Sequence, residues 1–289
     1  MTSAQRALER FVVDVERESL SVYGVHVLVG EDVAQHRWRS DDREDIHSVS
    51  KGVAALAVGI AVDEGILDVD DPVAVHLPRL ATGEGVSDVT LRHLLTMTSG
   101  IDFPWTPDQL DVWPDVAAEM LRRPSRGRVF QYANASTYTA MRALGAVVGD
   151  VRDWLVPRLF GPLGIRNPQW HRCVNGWIAG GAGLHLTTEE LARIGRLLRD
   201  RGEWDGKRLV SAAWIDGMHA DWIDTGSGGL YARYGVSAWA GPGDAWRLHG
   251  AYGQFVIVDE AHGSVITITA HEESRGDRLA EAAHNALVG

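Results

Sequence analysis

The stretch Ser48-Val49-Ser50-Lys51-Gly52-Val53-Ala54-Ala55-Leu56-Ala57-Val58-Gly59-Ile60-Ala61-Val62-Asp63-Glu64 decides how this chain is read. Apolar residues stand on nearly every side of it, the pattern of a helix enclosed by the rest of the protein. Gly65 follows where a glycine closes a helix. At the head of the stretch, Ser48 and Lys51 lie three residues apart, hence on one face and one turn from each other. A serine hydroxyl becomes a nucleophile when a neighbouring base takes its proton. A lysine in apolar surroundings escapes its desolvation cost by going neutral, which makes it a usable base. The helix N-terminus adds N–H groups and a positive dipole end, both suited to a developing oxyanion. The bland alternative is an N-cap serine beside a surface lysine. Against it, Lys51 and Lys207 are the only lysines among 28 basic residues, so this chain uses arginine for generic positive charge.

Outward from this helix, the spacing predicts a terminal amphipathic helix over Ala4 to Glu18. Strands follow over Val22 to Val29 and Val33 to Arg39, joined at Gly30-Glu31-Asp32. From Pro72 to Arg201 the pattern is helical and loop-rich. Helices are expected over Leu91 to Leu95, Ala135 to Val148 and Asp153 to Phe160. Another opens at the capping box Thr187 to Glu190 and closes at Gly202. Strands return at Gly235 to Trp239, Ala245 to His249, Gln254 to Val258 and Val265 to Thr269, before a last helix over Asp277 to Leu287. Strands at both ends and helices between imply an α+β fold. An antiparallel sheet is built from the two termini and flanked by the terminal helices, with an inserted helical lobe and a cleft between the two. The expected division is one domain over 1–289, with a sheet lobe at about 1–47 and 203–289 and a helical lobe at about 48–202.

Two further segments carry candidate chemistry. In Tyr132-Ala133-Asn134, a tyrosine with a pKa lowered by a nearby cation can act as a base, and the amide offers a donor and an acceptor to a substrate carbonyl. In Arg247-Leu248-His249-Gly250-Ala251-Tyr252-Gly253-Gln254-Phe255, the glycines let a strand backbone approach a ligand, with His249 beside them. Each segment alone is equally well a packed turn or a surface strand.

In this order the three segments resemble the penicillin-recognising serine hydrolases, in particular the class C β-lactamase-like branch with its esterases and peptidases. Leu91 to Ile101 resembles that family's Leu-Leu-x-His-Thr-Ser-Gly segment with Met97 in place of His, and Gly180 to Leu184 its Gly-Gly-Leu stretch. The likeness runs from about Val22 to Ala270. It implies a β-lactamase-like fold with Ser48 as the acylated nucleophile, Lys51 as its activating base, and Tyr132 as base or proton relay. It further implies Asn134 on the substrate carbonyl, and an oxyanion hole from the N–H groups of Ser48 and Ala251 beside Gly250. The third segment departs from the pattern: with Gly250 on the motif's glycine, Leu248 replaces the usual Lys or His, and His249 the usual Thr. That removes the cation which attracts a β-lactam carboxylate and favours neutral esters or small amides, with β-lactams as weak substrates. Arg247 and His249 are potential substitutes, although strand alternation points them away from Leu248's face. Alternatives are a small-amide hydrolase or peptidase, and a penicillin-binding sensor or pseudoenzyme that acylates without turnover.

Composition bounds the partners. With 39 acidic against 28 basic residues the net charge is -11, which repels phosphate backbones, so no nucleic acid is expected. The apolar run Gly52 to Val62 is too short to span a bilayer, and residues 1–18 lack a signal-peptide h-region; no membrane partner and a cytoplasmic location are expected. Cys173 is the only cysteine and reads as a small packed residue. No His-Glu-x-x-His or Cys-x-x-Cys occurs, so no metal and no cofactor are expected. Of the 11 tryptophans, Trp105, Trp113, Trp170 and Trp177 are candidates to line an acyl pocket, with core packing as the alternative for each.

Overall fold

The structure, a computed structural model, describes residues 1–104, 110 and 112–288. In its first half, α1 (Ser3–Glu18), β1 (Val22–Val29), β2 (Asp32–Arg37) and β3 (Glu44–Asp45) lead to α2 (Ser50–Asp63). Then come α3 (Val73–His76), α4 (Leu91–Leu95), α5 (Val116–Leu121), α6 (Asn134–Val148) and α7 (Val151–Leu155). Next are β4 (Gln169–Trp170), β5 (Leu184–Leu186), α8 (Thr188–Arg199), β6 (Glu203–Trp204), β7 (Lys207–Arg208) and α9 (Ala212–Met218). The chain ends with β8 (Ile223–Asp224), β9 (Arg233–Tyr234), β10 (Trp239–Ala240), β11 (Trp246–Gly250), β12 (Gln254–Asp259), β13 (Ser264–Ala270) and α10 (Gly276–Val288).

The main sheet has the strand order β2-β1-β13-β12-β11-β10-β9-β8. The pairing of β1 against β13, with Val25 opposite Ile268, joins the two ends of the chain. One face carries Val25, Val27, Ile257 and Ile268 against Phe11 of α1 and Leu279 and Ala283 of α10. The other carries Leu248, Val256, Val258 and Val265 against the helical half, whose centre is α2. Every residue of α2 from Ser50 to Ala61 is buried, as an apolar stretch without a polar face requires. The fold is α+β, and no helix among the described residues is long and apolar enough to cross a membrane.

The structure departs from the sequence reading in a few elements. The strand expected over Gly235 to Trp239 is two short strands, β9 and β10, interrupted by Ser237 at φ 56°. The helix expected from Asp153 begins at Val151, because the Asp150 side chain caps it, and runs on through a π-helical turn at Val156–Phe160. A second sheet is ordered β3-β5-β4, with β4 and β5 inside the region read as helical and loop-rich and β3 ahead of α2, where no strand was expected. Its strands are two or three residues long, too short for alternation to show.

Candidate active site

A turn of 3-10 helix, His47–Val49, leads into α2 and places Ser48 at the helix head. Asp45 fixes this turn by accepting from the His47 N–H at 2.8 Å. Lys51, one turn on, is 1% exposed. Its Nζ donates to Ser48 Oγ at 2.8 Å, to Asn134 Oδ1 at 2.6 Å and to the Gly181 carbonyl at 2.9 Å. Burial brings its pKa down to about 7, against the opposing charge of Asp45. A neutral amine has two hydrogens and one lone pair. Asn134 and Gly181, which only accept here, take the two hydrogens, and the lone pair is left facing the Ser48 hydroxyl.

Sequence reasoning took Gly180 to Leu184 only as part of a resemblance and did not single out Gly181. A Cβ at Gly181 would lie 3.2 Å from Asn134 Oδ1 and 3.4 Å from Lys51 Nζ. Small size, not conformation, is the requirement there. Asn134 is the first residue of α6 and reaches back to Lys51, so its amide is held before any substrate arrives.

The Tyr132 phenol is close enough to the Ser48 hydroxyl for Ser48 to act to lower its pKa, and its ring centre lies 4.8 Å from Lys51 Nζ. The expected lowering of its pKa is not found. Burial pushes the phenol up to about 12. Desolvation outweighs the opposing influence of the Ser48 hydroxyl, so the tyrosine is a phenol, equipped to pass a proton rather than to act as a phenolate base. Met97 braces the segment: it adopts φ 60°, its carbonyl accepts from Gln131 N at 2.7 Å, and its sulfur accepts from Ala133 N at 3.5 Å.

Gly250 on β11 passes directly behind Ser48. A Cβ there would lie 2.5 Å from the Ile46 carbonyl and 3.2 Å from Ser48 N. This is the position at which only glycine fits, and Ala251 follows it beside Ser48 at the pocket wall. Leu248 is buried against α2, where a Cβ on Gly52 would lie 2.5 Å from Leu248 Cδ2. Gly52→Ala is therefore expected to cost about 1–3 kcal/mol through overpacking, read as a lower urea midpoint with an unchanged slope. Arg247 and His249 do point to the other face. Arg247 is fully buried and donates to the carbonyls of Ala240 and Leu230. His249 stacks between Tyr231 and Phe255, and burial, aided by Arg247, brings its pKa down to about 3. Neither offers a positive charge to the pocket at neutral pH.

The Beta-lactamase family model matches residues 11–289. The chain belongs to the Beta-lactamase family. It is 26% identical over 234 residues to the 6-aminohexanoate-dimer hydrolase of Paenarthrobacter ureafaciens, a match covering 67% of this chain and 56% of that protein. The chain thus spans just over half the length of that curated relative. Among solved structures it superposes on a penicillin-binding protein homologue from Caulobacter crescentus with TM-score 0.77 at 20% identity, covering 99% of this chain and 98% of that one. A family VIII carboxylesterase gives 0.76 at 18% identity, with the same coverage of 99% and 98%. A class C β-lactamase mutant gives 0.79 at 14% identity, covering 99% and 96%. These likenesses show the β-lactamase-like fold.

Within this Beta-lactamase family member the pocket over Ser48 has a volume of about 450 Å³ and is lined by Phe130, Tyr132, Ser227, Tyr231, Trp239, His249, Gly250 and Ala251. Of the tryptophans named from the sequence, Trp113, Trp170 and Trp177 are not among these lining residues. Trp113 packs edge-on to Phe103, Trp177 lies under Arg142, and Trp170 is buried with its Nε1 donating to the Ala182 carbonyl at 3.1 Å. Trp105 lies outside the described residues. The tryptophan at the pocket is Trp239, whose ring centre is 5.5 Å from that of Tyr132. It sat in a stretch read only as a strand. Cys173 is buried with its sulfur 3.3 Å from the Tyr138 hydroxyl, a packed position apart from the pocket lining.

Proposed function

We propose that this protein is a serine hydrolase that cleaves neutral esters with aryl or other apolar groups through an acyl-enzyme on Ser48. The observation that carries this reading is the Lys51 amine, 2.8 Å from Ser48 Oγ with a pKa of about 7, opening onto a pocket of aromatic and uncharged groups. Ser48 Oγ attacks the ester carbonyl and its proton passes to Lys51. The carbonyl oxygen, now negative, sits between the N–H groups of Ser48 and Ala251. Collapse expels the alkoxide, which takes a proton through the Tyr132 hydroxyl. Water then repeats the sequence in reverse roles and releases the acid, and Asn134 orients the acyl carbonyl. The two-lobed arrangement of sheet and helical halves supports entry of substrate through the cleft between them.

The pocket composition argues for neutral substrates. Among the described lining residues none is charged at neutral pH, and a substrate carboxylate would be desolvated there without a partner. A panel of p-nitrophenyl acetate, nitrocefin and a D-amino-acid amide, run on one preparation, tests this directly. Sustained ester turnover, with kcat/KM at least about 100-fold above that for nitrocefin, is expected. Faster cleavage of nitrocefin or of the amide would overturn the ester reading, and a single burst would overturn turnover altogether. Tyr132→Phe is expected to lower ester turnover by about 10²-fold or more while leaving the circular dichroism spectrum intact, because it removes the proton path and little packing. An unchanged rate would remove the relay.

A further inference from the structure

The second sheet gathers three potential metal ligands on one of its faces. In its antiparallel ladder Asp45 of β3 stands directly opposite His185 of β5, and Gln169 of β4 stands opposite His185 from the other side. His171, two residues beyond Gln169 and with its N–H on the Gly183 carbonyl, shares that face by the period of two. It leans across Gly183 towards His185 as a diagonal neighbour. Gly183 makes this possible, since a Cβ there would lie 2.6 Å from His171 Cβ and 2.8 Å from its Cγ. The result is an Nε2–Nε2 separation of 3.0 Å between His171 and His185, with an Asp45 carboxylate oxygen, in the set of three, within 4.8 Å.

We propose that Asp45, His171 and His185 bind one divalent transition-metal ion of the Zn²⁺ type. Two imidazole nitrogens bound to one such ion at about 2.0–2.1 Å stand roughly 3.3–3.4 Å apart at the tetrahedral angle. The two rings are within a few tenths of an ångström of that spacing, and a turn of the Asp45 carboxylate completes a three-ligand set. Asp45 Oδ1 is engaged by the N–H groups of His47 and Gly183 at 2.8 and 2.9 Å. These bonds orient the carboxylate as the outer partners of a metal ligand do. Nitrogen and carboxylate donors suit Zn²⁺, Cu²⁺ or Ni²⁺ better than Mg²⁺ or Ca²⁺. The fourth position faces solvent on the side of the exposed His171, open to water or a small anion. The ion would add a clamp between the turn before Ser48 and the strand that follows Gly181, two segments already joined by the β3–β5 ladder, by the Ile46 N–H on the Leu184 carbonyl and by Asp45. The proposal runs against the expectation of no metal, because Asp45 is far in the chain from the two histidines and no spacing motif links the three.

The test is calorimetric titration of ZnCl₂ into the chelator-treated full chain, with His171→Ala, His185→Ala and the double variant alongside, and His36→Ala as a control. One ion with micromolar or tighter affinity is expected, weakened at least about 30-fold by either single change and unaffected by the control. Thermal unfolding keeps this interpretable if a variant is less stable: saturating Zn²⁺ raises the wild-type midpoint by about 3 °C or more and leaves the double variant unmoved. Equal binding by the double variant, or no binding at millimolar Zn²⁺, reduces the pair to a histidine–histidine hydrogen bond and overturns the site. Neither readout depends on the hydrolase reading.

Discussion

Ser48→Ala is expected to leave a folded protein that a phosphonate ester no longer labels and that turns over p-nitrophenyl esters at least about 10⁴-fold more slowly. The magnitude follows from what the hydroxyl does. With no oxygen at this position there is no covalent intermediate, and what remains is pocket binding and the oxyanion donors, which by themselves support only a small residual rate. The fold is expected to persist because Ser48 lies at a helix head, with its hydroxyl engaged by Lys51 at the site rather than by the core. Intact mass measurement is the sharper check. The native chain gains one phosphonyl group on a peptide containing Ser48, and the variant gains none. Labelling of the variant at Ser50, whose buried hydroxyl lies two residues on, or at Cys173, would show that another residue is the nucleophile.

The second large effect concerns Lys51 and its protonation. Because burial depresses the lysine's pKa, the working neutral amine is the form present above about pH 7. Acylation is therefore expected to rise about tenfold per pH unit below that value and to level off above it. The linkage carries the same sign. The unfolded chain's lysine holds its proton up to about pH 10.4, so between about 7 and that value the unfolded state binds more protons, and stability contributed through this group increases with pH. Lys51→Ala is expected to reduce kcat/KM by about 10³-fold or more and to abolish the step near pH 7. Lys51→Arg is not expected to restore either, since a guanidinium stays charged and cannot accept the serine proton. Stopped-flow acylation over pH 5–9 distinguishes this from a structural role, which would lower the rate without moving the inflection.

How far the sequence discloses this protein depends on how local each signal is. The apolar collar of α2 makes Lys51's burial foreseeable, and the helical spacing of Ser48 and Lys51 makes their contact foreseeable. The terminal strands and helices were equally plain, because each is long enough to show its period. What stayed hidden is what the fold assembles from single atoms. The Gly181 carbonyl has no side-chain signature. Trp239 stands at a strand end that looked like any other. Tyr132 was expected to be acidified by its neighbour, but the neighbour is desolvated with it, and the direction reverses. The β3-β5-β4 sheet escaped because no strand in it exceeds three residues.

The contact between Gly52 and Leu248 has a consequence for the history of this site. The residue without a side chain on the nucleophile's helix and the isobutyl group on the facing strand form one joint, so neither position drifts alone. A lysine at 248 would carry a second ammonium into the layer that already holds Lys51, with Leu248 just 1% exposed. A lineage seeking to recognise carboxylates would first lose stability, on the order of several kcal/mol for an unpaired buried cation. The proposed preference for uncharged substrates would thus be held as an evolutionary ratchet, set in the packing behind Ser48 rather than in the walls that touch the ligand.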